Sequence, residues 1–245
     1  NWSTYLSGDG NTSARGLSLG PNETVYVVGS TEDGFSTTNN SSEELFLGGQ
    51  DVFVCHIDES GSDLLASTYF GGTGYDTGIF LDVDVFGDIH ITGTTDSNIP
   101  ITTGCYGTDN SGVFLAKLNP NLSNVIWQTT IGDGSGFQNF TPNAFMVDVC
   151  RKIYVGGFGA GGSNLFTTED AFFNGSDWSE GYYMMSLEPN ASSVNFASFY
   201  QGDHVDGGTS RFDPNGIVYQ AVCSPSTITP TANANSECLT GGYDV

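Results

Sequence analysis

Apolar and polar residues alternate in short runs along this chain, and one run recurs. Gly87-Asp88-Ile89-His90-Ile91-Thr92-Gly93-Thr94-Thr95 has counterparts in Glu23 to Thr31, Lys152 to Phe158 and Gly216 to Val222. Tyr26, His90, Tyr154 and Tyr219 hold the same place in the four copies, at steps of 64, 64 and 65 residues. Self-similarity at a fixed period marks a repeat architecture.

Each repeat reads as four strands. The first carries an alternating apolar pair, Leu17 and Leu19, then Leu81 and Val83, then Phe145 and Val147, with Phe212 alone in the last copy. Period-two alternation predicts one buried face. A short turn rich in Asp, Pro, Asn and Gly leads into the recurring run, which is the second strand. After it comes a loop that differs between copies in length and content: 32–49, 96–110, 159–180 and 224–240. The third strand is Asp51 to Ile57, matched by Gly112 to Leu118 and Gly181 to Leu187. Polar turns at 58–63, 119–124 and 188–193 close a hairpin with the fourth strand, Ala66 to Phe70, whose counterparts are Trp2 to Leu6, Trp127 to Ile131 and Phe196 to Tyr200.

Four antiparallel strands recurring about every 60–65 residues predict an all-β chain, a β-propeller of four-stranded antiparallel blades. The repeat cores run over 7–70, 71–131, 132–200 and 201–245. The stretch 2–6 would complete the last blade if four blades close into a ring; the preferred expectation is an excerpt from a longer multidomain chain.

Composition narrows the function classes. Hydrophobic residues make up 38% of the 245, enough for a core, and 34 glycines suit many turns. Five Lys and Arg against 28 Asp and Glu give a net charge of −23, which repels phosphate backbones and anionic headgroups and attracts cations or basic partners. No run of about 18 apolar residues is present to cross a membrane as a helix. Neither nucleic-acid binding nor membrane insertion is expected. Nine Asn-x-Ser/Thr sequons agree with export, although a chain rich in these residues forms several by chance.

Trp2-Ser-Thr-Tyr-Leu, Ser67-Thr-Tyr-Phe-Gly-Gly and Val25-Tyr-Val-Val-Gly-Ser-Thr resemble the bacterial SBBP β-propeller repeat over nearly the whole chain. Val147 to Gly157 and His204 to Cys223 are similar to large secreted surface proteins of Bacteroidota. In those, propeller repeats precede PKD-type modules and a gliding-motility-associated sorting domain read by the type IX secretion system. The resemblance implies a cell-surface or secreted location and a non-enzymatic, structural or adhesin-type role through contacts with other extracellular proteins. No such sorting domain occurs within these 245 residues.

Candidate chemistry sits in the loops. Those that follow the fourth strands carry Asp9, Asp76, Asp133, Asp203 and Asp206 among glycines. Repeat symmetry would set them on one face as a crown of carboxylates, and oxygen ligands on Gly-rich loops suit Ca²⁺. Ordinary Gly-Asp turn chemistry explains the same residues, and the spacing is not that of an EF-hand. Phe35, Tyr106, Phe172, Phe173 and Trp178 in the variable loops would be exposed aromatics able to stack on glycans, a lectin-like alternative. Cys223 and Cys238 flank the fourth variable loop, and in an exported chain a disulfide between them is the economical pairing. Cys55, Cys105 and Cys150 hold unrelated repeat positions, so at least one buried free thiol is expected. Arg211 is expected to pair with Asp206 or Asp213. No GxSxG or HExxH stretch occurs, and the three histidines share no repeat position, so no enzyme is expected; His90, standing where the other copies have Tyr, is expected to be a packed strand residue.

Overall fold

The computed structural model describes residues 2–160, 163–174, 181–200, 210–213 and 217–220. Within them the chain is all-β and forms three four-stranded antiparallel sheets. β1 (Thr12–Leu19), β2 (Val25–Thr31), β3 (Asp51–Ile57) and β4 (Leu64–Phe70) pair in chain order. So do β5 (Asp76–Val83), β6 (Ile89–Thr95), β7 (Val113–Leu118) and β8 (Val125–Ile131), and again β9 (Thr141–Val147), β10 (Ile153–Phe158), β11 (Tyr182–Leu187) and β12 (Val194–Tyr200). A further antiparallel pair, β13 (Ser210–Phe212) and β14 (Val218–Gln220), falls in the fourth repeat. The recurring run is the second strand of each sheet, as its alternation predicts.

Period-two patterning gives each sheet two faces, and the sheets bury them against one another. Tyr26, Val28, Val52 and Val54 of the first sheet pack with Leu81, Ile89 and Ile91 of the second. On its other side the second sheet sets Val113, Leu115 and Trp127 against Ile153, Val155, Tyr183 and Met185 of the third. Each fully buried Ile or Leu in these layers contributes roughly 1.5–3 kcal/mol. The first strands β1, β5, β9 and β13 lie side by side in that order.

A backbone irregularity recurs with the repeat. The first strand of each four-stranded sheet slips register against the second, between Ala14 and Gly16, between Gly78 and Phe80, and at the residues facing Gly156 and Gly157. The bulge throws a carbonyl oxygen, that of Ser13, Thr77 or Thr141, against Gly29, Gly93 or Gly157. A Cβ there would collide with backbone that cannot yield, so the glycine at this place in the first three copies of the run is a packing requirement.

Three expectations need correction. Leu17 and Leu19 are 64% and 66% exposed, while Leu81 is buried. The face that buries Leu81 packs on the preceding sheet, and the first sheet has no such neighbour among the described residues. Trp2 to Leu6 forms no strand; instead the Trp2 indole N–H donates to the Glu59 carbonyl (2.8 Å) on the turn between β3 and β4, and Tyr5 is exposed. Phe35, expected in solvent, stacks on Phe53 at 4.1 Å and is buried.

Candidate functional site

The loops between second and third strands look unrelated in sequence, yet the fold anchors them alike. Phe35, Ile99 and Leu165 each bury their side chain, and a threonine stands three residues on. Thr38, Thr102 and Thr168 clasp the fourth strand of their own sheet. The Thr38 N–H donates to the Ser67 carbonyl while its hydroxyl accepts the Ser67 N–H, and the pairs Thr102–Gln128 and Thr168–Ala197 repeat the arrangement. Four residues past the first two threonines the loop reaches the next sheet. Ser42 N–H donates to the carbonyl of Leu122 (2.8 Å) and Tyr106 N–H to that of Ala191 (2.6 Å), both acceptors buried in the hairpin turn of the following sheet. Phe172 holds the same place after Thr168.

At the same end of the sheets, the Gly-rich loops lead into the next first strand and bond to the loop before the third. Asp76 begins β5; its N–H donates to the Gln50 carbonyl (2.7 Å), which sets Asp76 beside Asp51 at the start of β3. Asp76 Oδ2 accepts the Gly72 N–H and the Ser97 hydroxyl, both at 2.8 Å, and closes the 71–76 loop. Asp51 Oδ2 accepts the Leu47 N–H at 2.7 Å. Both side chains are inaccessible to solvent, and the Oδ1 of each has no hydrogen-bond partner. Burial, joined by the like charge of Asp76, pushes the Asp51 carboxyl up to about 6 against hydrogen bonds that pull it down.

A second polar cluster lies inside the second sheet. Asp84 begins the turn between β5 and β6, and its Oδ1 accepts the N–H groups of Phe86 and Asp88. Its Oδ2 receives Lys117 Nζ at 2.9 Å and lies 3.2 Å from His90 Nε2. Lys117 also reaches Asp88 at 2.8 Å. Burial raises the Asp84 carboxyl, but the bonds from His90 and Lys117 outweigh it and hold the group well below the usual carboxylate range. Burial pushes His90 down, only partly offset by Asp84. His90 is thus a neutral, packed strand residue, edge-on to Trp127. His56 lies flat against Tyr26 at 3.9 Å and is likewise depressed by burial. Beside this pair a cavity of about 470 Å³ opens among Pro21, Phe86 and Pro120 at the turn end of the first two sheets.

The residues expected to form a carboxylate crown are not equivalent. Asp9 and Asp133 sit within their loops, Asp9 exposed and Asp133 half-buried, with its Oδ1 accepting the Ser135 N–H and its carboxyl held below the usual range by Ser135. Asp76 stands at the loop's end. In register its counterparts are Thr12, which accepts the Gly8 N–H, and Phe140; before β9 the loop amide of Asp133 is instead accepted by Asn139, one residue earlier. Among the described residues no three His, Cys, Asp or Glu side chains form a group that could hold a metal ion. Asp76 is paired with Asp51, which the repeat pattern did not single out. Asp203 and Asp206 lie outside the described residues, as do Trp178, Cys223, Cys238 and the Arg211 side chain.

Of the loop aromatics, Phe172 is 67% exposed and stacks on Tyr200 at 5.1 Å, with Phe173 beside it. Tyr106 is half-buried against the third sheet's core, its ring 5.9 Å from Phe166. Cys55 is a buried free thiol whose pKa burial pushes up to about 12; Cys105 and Cys150 are free as well. No family model matches the chain, and no curated protein matches it.

Proposed function

We propose that the chain is a β-propeller segment of an exported surface protein, a non-catalytic module that acts by protein–protein contact. The observation that carries this reading is the joint repeated between successive sheets. Ser42 grips the turn at Leu122, and Tyr106 grips the turn at Ala191 one sheet on. Identical joints, with β1, β5, β9 and β13 side by side, are what blades arrayed around an axis require. The resemblance to SBBP repeats supports export and a surface role. His56 and His90 are both engaged in structural contacts, which leaves neither placed as an acid or base. A net charge of −23 favours basic partner surfaces over nucleic acid or anionic lipid.

A glycan-binding reading rests on the exposed Phe172–Tyr200 stack. It is the weaker reading, because Phe172 holds the repeat position of Ser42 and Tyr106, which serve as inter-sheet joints. A glycan array separates the two. The contact reading expects no saturable glycan binding. Binding to a defined glycan that is lost in Phe172→Ala and Phe173→Ala, at an unchanged melting temperature, would overturn it.

A further inference from the structure

Asp51 and Asp76 are 1% and 0% exposed. One oxygen of each is bonded to protein donors, and the other, Oδ1, is buried with nothing to bond. A buried carboxylate oxygen without donor or counter-charge is costly, and two on neighbouring strand ends compound the cost. Among the described residues no ion pair reaches them: Lys117, Lys152 and the ring of His90 are engaged with Asp84, Asp88 and Glu188, and Arg151 lies over the Phe86 ring.

The next junction shows that this loop closure does not need the charge. Between the second and third sheets Asn139 accepts the Asp133 N–H and the Ser111 hydroxyl accepts that of Gly134, so neutral groups do the same work. The carboxylates of the first junction therefore serve something further. Two carbonyl oxygens converge there as well, those of Gly72 and Gly74, the latter also accepting the Gly49 N–H at 2.8 Å. A Cβ at Gly48 would meet the Gly74 carbonyl oxygen, that of Gly72 at 2.8 Å and Asp51 Oδ1 at 2.9 Å. Only glycine at 48 leaves these oxygens facing one another.

We propose that this junction binds a hard divalent cation, with calcium the best fit, through Asp51 Oδ1, Asp76 Oδ1 and the carbonyl oxygens of Gly72 and Gly74. Mixed carboxylate and carbonyl oxygens in irregular array suit Ca²⁺, whereas Zn²⁺ selects nitrogen and sulfur and Mg²⁺ demands a regular octahedron. The cation would pin the start of β3 to the start of β5, locking the first sheet to the second.

The test is calorimetric titration of the metal-free chain with CaCl₂ at pH 7, with thermal melting in EDTA and in Ca²⁺, on the wild type, Asp51→Asn, Asp76→Asn and the control Asp9→Asn/Asp133→Asn. Asp76→Asn places at this junction the residue type that closes the next one, so it should fold. The expected result is one site with Kd on the order of 10⁻⁴ M or tighter. It should raise the wild-type and control melting temperatures by several degrees, and weaken tenfold or more in Asp51→Asn and Asp76→Asn. Absence of a saturable site, or a calcium-induced shift that persists in Asp51→Asn and Asp76→Asn, overturns the proposal. So does a pair that instead shares a proton, seen as a wild type indifferent to Ca²⁺ at every pH.

Discussion

Lys117 and Asp84 form an ion pair of 2.9 Å in which both side chains are almost wholly buried. The lysine occupies the place that His56 fills in the first sheet and Ser186 in the third. Asp84 is already committed to its turn through Oδ1. Losing the lysine therefore strands a desolvated carboxylate whose position is fixed. Removing one partner of such a pair costs about 3–5 kcal/mol. Lys117→Met should lose stability of that order in urea unfolding, and Lys117→Met/Asp84→Asn should recover a large part, since an amide oxygen still caps the turn. A loss below about 1 kcal/mol in the single variant would mean that water reaches the pair.

The bulge glycine gives a prediction of different origin. Gly93 faces the Thr77 carbonyl across the β5–β6 pair, and Phe114 lies against it at 2.9 Å from where a Cβ would be. Gly93→Ala must shift backbone in a packed sheet, an overpacking cost of about 1–3 kcal/mol or more. Gly104→Ala is the comparison: a Cβ there meets nothing within 4 Å, but φ is +92°, so its cost is conformational alone, about 1 kcal/mol. Equal losses in thermal unfolding would show that the steric account of the recurring glycine is wrong.

The contrast between these sites shows what the sequence discloses. Ile89 and Ile91 were readable as core because a strand's faces alternate at a fixed period. Asp84 and the turn it caps were readable because Asp, Asn and Gly cluster there. The Lys117–Asp84 pair was not, since it joins residues of different strands whose repeat counterparts carry unrelated chemistry. Asp51 escaped notice for a similar reason. It reads as the polar start of a strand, and its partner Asp76 lies in the next repeat. The loop anchors at Phe35, Ile99 and Leu165, with threonine three residues on, were present as a spaced pair but hidden by different loop lengths. Leu17 and Leu19 misled in the opposite direction, because alternation marks a face fit for burial and does not supply the sheet that buries it.

The threonine clasp is open to local measurement. Thr102 donates its N–H to the Gln128 carbonyl at 2.9 Å and accepts the Gln128 N–H through its hydroxyl at 3.0 Å. Thr102→Val keeps the shape and the backbone bond but removes the hydroxyl acceptor, costing about 1 kcal/mol. The Gln128 amide should exchange faster with deuterium than in the wild type, by roughly fivefold for that energy, while amides of β6 and β7 keep their protection. Uniform acceleration across the second sheet would mean that the clasp holds more than its own loop.

The Asp51 carboxyl predicts how stability depends on pH without bound cation. Its folded value of about 6 stands above its ordinary 3.8. The folded protein thus holds a proton that the unfolded chain has already released between those values. The contribution to stability is fully present below 3.8 and is lost as pH rises through 6, at up to about 1.4 kcal/mol per pH unit. His56 and His90, whose values are lowered, act in the opposite sense, and Asp82 is raised like Asp51. All three remain in Asp51→Asn and drop out of the difference between the two proteins. Asp76 and Glu43 are the charges that face Asp51, and both are kept. In EDTA, the wild type minus Asp51→Asn difference in unfolding free energy should therefore fall from pH 4 to pH 7. Excess Ca²⁺ at pH 7 should restore it, because the ion binds the ionised pair and takes the proton's place. A difference that stays flat across this range in EDTA would show that the Asp51 carboxyl is not held in its protonated form, and the pH dependence would have to be assigned elsewhere.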